Sequence, residues 1–458
     1  MNNDFLLLFL YIGGIFLSGY CFILGFFKEI VKKQTIFTNS ALSWFVGSYI
    51  FIFGLYLLTF FNKLNIIVKG NFIYFLLTLF VLSIIVTIRR WRYLTPRLTI
   101  NIVIFILFII FFIPLIKDAL FSYLIGWDAI GIWMLKAKVF FFNSGFWNNS
   151  FFMEKGAFFY ANKSYPLGIP LLISGYYHLI GSVNDQMAQF ILLMFYLNMV
   201  IMSYGMIRKI FPTFSHFFSF LIILSISLLP NFIIYSHNGY VDMILGAVFL
   251  AQTILFIIFF DEEDQNLKLK YAALLFIIGA LGATIKNEGY TFWATASILT
   301  FILYKEKKRF INLFVLLFLA LIPILLWEYV KKTYHLSISY YFENAGIQIQ
   351  NLSRLKPIVF QYLDELMSVS KYGILLLSFF FIFIFQSTVL IFKKKFMTLI
   401  PLLLIILQLS FYSLIFFIAA VPIDWQVKAL DRLSLHVLPS FFILVLYLLK
   451  EKVTYEKT

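Results

Sequence analysis

Long apolar runs broken by short clusters of lysine and arginine dominate the chain. As helices, runs of about 17 to 25 residues reach across the ~30 Å hydrocarbon core of a bilayer. The pattern predicts spans at 5–27, 41–61, 72–88, 98–116, 187–207, 214–235, 241–260, 271–285, 290–304, 310–330, 372–392, 396–418 and 433–449. The expected fold is therefore an all-α, polytopic transmembrane bundle of thirteen spans in one integral membrane domain. A transmembrane β-barrel would instead alternate apolar and polar residues over strands of about ten residues. Two polar stretches are longer than the rest: residues 117–186, read as a first large outer loop carrying interfacial helices, and residues 331–371, read as a second outer loop.

Composition sharpens this picture. Hydrophobic residues make up 62% of the 458 and charged residues 12%, and no polar stretch is long enough for a soluble catalytic domain of ordinary size. Residues 1–4 carry no basic side chain and the run after them is too long for the apolar region of a signal peptide, so the first run is expected to be a span. Cys21 is the only cysteine, which excludes a disulfide framework or a thiolate metal site.

The net charge of +15 raises a nucleic-acid reading, but the placement of the charges argues for topology instead. With the spans above, Lys28/Lys32/Lys33, Arg89/Arg90/Arg92/Arg97, Arg208/Lys209, Lys268/Lys270, Lys305/Lys307/Lys308/Arg309, Lys393/Lys394/Lys395 and Lys450/Lys452/Lys457 share one side, 21 of the 36 basic residues. The positive-inside rule makes that side cytoplasmic. The N-terminus is then outside and the C-terminus cytoplasmic, in what reads as a bacterial plasma membrane. Residues 165–180, interrupted by Pro166, Gly168, Pro170 and Gly175, are short for a crossing and would reverse every later cluster if they crossed. They are expected to form a re-entrant or interfacial helix, its irregular backbone buried in protein.

This topology collects the scarce polar residues on the outer face: Asp128, Lys136, Lys138, Lys163, His237, Asp242, Lys286, Glu288, Asp424, Asp431, Arg432 and His436. Trp127 and Asp128 open an amphipathic stretch in which Leu135, Val139 and Phe140 are apolar while Lys136 and Lys138 are basic, the pattern of a helix lying on the membrane. Asp128 is either an N-cap or a general base that takes or orients an acceptor proton. His237 and Asp242 read as solvated loop residues or as site residues, and Lys286 with Glu288 as a mutually neutralised turn or as part of a site. Arg432 offers a planar fork of donors suited to phosphate, or pairs locally with Asp431. Asn148 and Asn162 head N-x-S sequons, which matter only in a glycosylating pathway. There is no phosphate-cradling glycine loop, no HExxH and no serine nucleophile elbow.

The segments WDAIGIWMLKAKVFFFNSGFW and KSYPLGIPLL, followed by GYVDMILGAVFLA, ATIKNEGYTF and DRLSLHVLP, resemble the C-type-fold membrane glycosyltransferases. The nearest likeness is to bacterial relatives of protein O-mannosyltransferases and of the lipid A aminoarabinose transferase. The resemblance covers most of residues 98–449. It departs in having one early Asp without an adjacent Glu, and Ser164-Tyr165-Pro166 where many relatives have Lys-Pro-Pro. What it implies is glycan biosynthesis at the cell envelope. A sugar would move from a polyprenyl-phosphate donor to a glycan, lipid or protein acceptor on the outer face, with inversion. Asp128 would be the catalytic base. Arg432, Lys286, Lys163 and His237 would hold the donor phosphate, and Trp127, Trp133, Lys136, Lys138, Tyr165, Asp242 and Glu288 would line the substrate. It implies no fixed cofactor, since related enzymes differ in metal use; a divalent metal ion fits Asp128 with Asp242 or Glu288 by the oxygen preference of hard cations, and spacing does not decide it.

Two other classes share these features. A transporter or flippase of lipid-linked glycans would show internal repeats and charges spread through the membrane depth, neither of which the chain displays. A lipid-linked polysaccharide polymerase or ligase would carry its large loop late, and residues 331–371 keep that reading open.

Overall fold

A computed structural model describes residues 2–62, 102–143, 145–147, 149–153, 161–336, 345–348 and 350–455, with Thr78, Val81, Leu82, Ile85, Val86 and Arg89 between them. The expected span 72–88, the first residues of 98–116, Arg90, Arg92, Arg97 and the Asn148 sequon lie outside the described residues. Among the described residues the chain is all helical. The principal helices are α1 (Asn2–Phe26), α2 (Ile36–Asn62), α3 (Ile102–Phe121), α4 (Gly168–Ile180), α5 (Asp185–Ile210), α6 (His216–Ser227), α7 (Pro230–His237), α8 (Asp242–Asp261), α9 (Gln265–Ile285), α10 (Glu288–Leu303), α11 (Phe310–Thr333), α12 (Leu355–Met367), α13 (Leu375–Phe392), α14 (Leu403–Ile418) and α15 (Leu430–Tyr455). Shorter helices keep their residue ranges as names.

Nine helices among the described residues are long and apolar enough to cross a membrane, and a tenth crossing results if the bent pair α6–α7 counts as one span. The chain is an integral membrane protein on this ground. Thirteen crossings are more than these residues show: the run 72–88 and the start of 98–116 lie outside them, and two further runs differ for local reasons. Residues 214–235 are split into α6 and α7 at a 74° bend, where Pro230 starts α7 and has no N–H to continue the preceding ladder. The run 290–304 forms α10, whose 16 helical residues make about 24 Å; it nevertheless leads from Glu288 at the Lys286 cluster to Arg309 beside Asn266 at the far end of the bundle, with residues 304–309 completing the distance. The run 98–116 appears in part as α3, which ends beyond Lys117 and Asp118 at Phe121.

Side-chain pairs give the direction of each helix. Tyr11 meets Phe51, and Trp44 meets Phe195 while Phe37 meets Tyr204, so α2 runs antiparallel to both α1 and α5. Tight crossings let these apolar helices pack. At Gly246 in α8 an added Cβ would lie 2.2 Å from the Leu435 carbonyl oxygen of α15, a contact only glycine permits. With Thr253 bonded to Ser440 at 3.1 Å, that crossing fixes α8 and α15 side by side and parallel.

The result is a bundle with two polar ends. At one, Lys33 pairs with Glu262 (3.0 Å), Lys270 with Glu29 (2.6 Å) and Lys450 with Asp261 (3.0 Å), and Arg309 donates to Asn266. At the other lie the starts of α5, α8 and α15 and the ends of α3, α9 and α14. The helix α4 has both ends there: Gly168 presses on Thr284 near the end of α9, and Tyr177 donates to Asp185 at the start of α5 at 2.6 Å. It closes on Gly181 in the left-handed conformation.

Candidate functional site

Antiparallel packing of α8 and α9 brings the first residue of one beside the residue that ends the other. Asp242 opens α8, where the helix N-terminus carries partial positive charge, and Lys286 follows α9, where the C-terminus is partially negative; Glu288 opens α10. Each charge therefore sits where its own helix stabilises it. Lys286 Nζ lies 2.8 Å from Asp242 Oδ1 and 3.3 Å from Glu288 Oε1, and both Lys286 and Asp242 are buried. Burial would push the Lys286 amine down, but the two carboxylates outweigh it and hold the ammonium above the ordinary lysine range.

The start of α15 supplies the rest of the cluster. His436 Nε2 lies 3.0 Å from Asp242 Oδ1, and its Nδ1 lies 2.7 Å from the Tyr412 hydroxyl on α14. One turn earlier, Arg432 reaches Asp128 Oδ2 at 2.5 Å, sits 3.9 Å from Asp242 Oδ2 and rests over the Tyr240 ring, 5.2 Å from its centroid. A cation in a helix's first turn opposes the helix dipole, so these carboxylates and the aromatic face are what hold Arg432 there. Asp128 comes from the opposite direction, 304 residues away in sequence. Its loop is pinned by Gly239, whose φ of +84° and close approach to Leu124 and Ala129 admit no side chain. Asp128 and Arg432 keep 24% and 30% of their side chains exposed against 2% for Asp242. The cluster thus opens at this pair.

Directly after Asp128 the backbone winds as a π-helix over Ala129–Met134, a distortion frequent at functional sites. It turns Trp133 against Tyr165, ring planes within 5° and centroids 5.7 Å apart. Lys136 lies 5.8 and 5.9 Å from those two centroids and donates to the carbonyls of Asn162 (2.8 Å) and Tyr165 (3.4 Å). Burial pushes its amine down to about 7. Gly168, three residues after Tyr165, presses on Thr284, two residues before Lys286, which places the aromatic stack beside the charged cluster.

No family model, curated protein or solved structure matches the chain.

Of the residues singled out from the sequence, Asp128, Asp242, Lys286, Glu288 and Arg432 come together, with Trp133, Tyr165 and Lys136 alongside. Several expectations change. Asp128 makes no side-chain cap bond; its carboxylate is turned to Arg432. Asp242 is a buried hub rather than a solvated loop residue, and Arg432 pairs with Asp128 rather than Asp431. Lys136 is fully buried, not one edge of a basic membrane-facing surface: it shares its helix face with buried Phe140 four residues on, and its amine turns to the Asn162 and Tyr165 carbonyls. Lys138 pairs with Asp185 at 2.5 Å. Lys163 lies against the Phe151 ring, with the Phe152 carbonyl 3.5 Å away. His237 Nδ1 is 3.2 Å from Ser236 Oγ, and Trp127 is exposed beside Asp128.

His436, Tyr240 and Tyr412 were not singled out as site residues. For His436 a signal existed: it stands four residues after Arg432, on the same helix face. Nothing in the sequence marks the two tyrosines among 27. Asp242 meets Lys286 and His436, Asp128 meets Arg432, and Glu288 meets Lys286. Among the described residues no group of three or more His, Cys, Asp or Glu is placed to hold a metal ion.

Proposed function

We propose that the chain is a membrane glycosyltransferase that moves a sugar from a polyprenyl-phosphate donor to an acceptor hydroxyl on the outer face. On this reading the end of the bundle bearing Asp128 is the outer one, the end bearing Lys33, Lys270 and Lys450 is cytoplasmic, and α4 stays on the outer side. The observation that carries the reading is the Asp128–Arg432 pair. A carboxylate and a guanidinium from opposite parts of the chain meet at the accessible edge of a buried charged cluster, beside a stacked tryptophan and tyrosine. Those are the groups that transfer from a lipid phosphate needs: a proton acceptor, a cation for the leaving phosphate, and flat apolar faces for sugar or isoprenoid.

The pairing also suggests an order of events. With no donor bound, Arg432 occupies Asp128. A donor phosphate competes for the guanidinium through charge-assisted hydrogen bonds, and the freed carboxylate becomes a base. An acceptor hydroxyl then attacks the anomeric carbon, the bond from that carbon to the phosphate oxygen breaks with inversion, and Asp128 takes the proton. Arg432 and Lys286 stabilise the departing lipid phosphate in a partly dry site. Asp242, itself nearly inaccessible, holds both cations in place.

The test is genetic and chemical together. Cell-envelope glycans are compared with and without the gene, and the deletion is complemented with wild type or Asp128→Asn at equal membrane abundance. The variant is expected to fall at least about 100-fold short of wild type, the lower end for loss of a general base. Restoration of the missing glycan by Asp128→Asn would remove Asp128 from the chemistry.

A further inference from the structure

Residues 352–371 belong to a stretch expected from its polarity to be an outer loop, yet they are built inside out. The protein-facing side of α12 and its flanks is the polar one. Arg354 is buried and donates to the carbonyls of Phe416 (2.8 Å) and Val421 (3.1 Å), at the end of α14 and beyond it. The Tyr362 hydroxyl donates to the Leu409 carbonyl at 3.1 Å. Glu365 is buried and accepts from Lys371 Nζ and the Tyr372 hydroxyl, each at 2.7 Å, and from Ser434 Oγ at 3.3 Å. The outward side is apolar: Leu355, Val359, Phe360, Leu363 and Met367 are each 46% to 67% exposed. At 100° per residue these five positions share one arc of about 140° that also holds the exposed Lys356, with Ile358 and Glu365 opposite.

A helix against water turns its apolar stripe inward; this one turns it out while fastening its polar side to the bundle. The occupant follows from where the stripe leads. It continues through exposed Val369 and Ile374 onto the exposed Phe381, Ile384 and Phe385 of α13, a helix long and apolar enough to span whose outer side is covered by lipid. With 13 residues, about 20 Å, α12 is too short to cross. Lys356, with its amine 5.8 Å from the Phe360 centroid, has a stem that follows the apolar surface while the charge reaches the headgroups.

We infer that α12 lies in the plane of the membrane, with Leu355, Val359, Phe360, Leu363 and Met367 among the acyl chains of the leaflet at the Asp128 end. The inference is independent of the chemistry of the site, since it concerns only what covers this surface.

Full-length protein with Cys21→Ser and a single cysteine, Val359→Cys or Asp364→Cys, is labelled with an environment-sensitive fluorophore and placed in phosphatidylcholine vesicles. A label at 359 is expected to be quenched several-fold more by lipids carrying a nitroxide near the headgroup end of the chain than by aqueous iodide, and a label at 364 the reverse. Equal iodide quenching at both positions would make the segment an aqueous loop and overturn the inference. So would protection of 359 from both quenchers together with cross-linking between copies through that position, which would put a second copy of the chain there.

Discussion

Lys136 and Lys286 are two buried lysines with opposite solutions. Lys286 has carboxylates on two helix ends; Lys136 has only backbone carbonyls and two aromatic faces. Between about pH 7 and the ordinary lysine value near 10, the unfolded chain carries a proton on Lys136 that the folded chain lacks, so stability should rise with pH across that window. Lys136→Met should remove this slope, about 1.4 kcal/mol per pH unit at most, which thermal unfolding in detergent at several pH values would measure. Asp242→Asn acts through the other lysine. Leaving a buried ammonium without its nearest carboxylate costs about 3 to 5 kcal/mol, the lower end applying here because Glu288 stays within 3.3 Å. Asp242→Asn combined with Lys286→Met should recover most of the lost unfolding temperature; no recovery would mean the two residues are not energetically coupled. The gathering of Asp128, Asp242, Lys286 and Arg432 was legible because charges are scarce in a chain this apolar and an unpaired one is expensive within it. The burial of Lys136 was not, since a lysine reads as water-facing by type and the carbonyls that take its amine, those of Asn162 and Tyr165, belong to a loop that no periodicity announces.

At the scale of elements, packing decides more than propensity does. The spans with unbroken apolar runs, such as α5, α8 and α11, could be read from length alone. The break between α6 and α7 is marked by Pro230, but a proline inside a long apolar run is equally compatible with a kinked single helix. The crossing of α8 with α15 leaves no trace beyond a glycine among 22, because what demands glycine is the backbone of a partner nearly two hundred residues later. Gly246→Ala should cost about 1 to 3 kcal/mol by overpacking and loosen the hold of Asp242 on His436 and Arg432, while Gly13→Ala, whose added methyl meets nothing within 4 Å, should be neutral or slightly stabilising. Equal unfolding temperatures for the two variants would show that the crossing has room that the geometry does not suggest.

For the whole molecule, the division into two polar ends is what a membrane would impose, and labelling can orient it. In a Cys21→Ser background, Trp127→Cys should react with an impermeant maleimide added to intact cells, and Lys308→Cys only after permeabilisation. The reverse pattern would turn the protein over and place the Asp128 cluster in the cytoplasm. The basic clusters of the sequence agree with the shared end of Lys33, Lys270, Arg309 and Lys450, whereas the bend that splits α6 from α7 did not follow, because hydropathy alone reads that run as continuous. The sequence distance between Asp128 and Arg432 bears also on biogenesis. While the chain is being inserted, Asp128 and Asp242 enter the membrane long before the arginine and histidine that complete their surroundings exist. Insertion of α15 is therefore the step that completes the charges, and a nascent chain stalled before it would hold Asp242 against Lys286 alone and present Asp128 without its arginine to whatever surveys the bilayer for unfinished proteins.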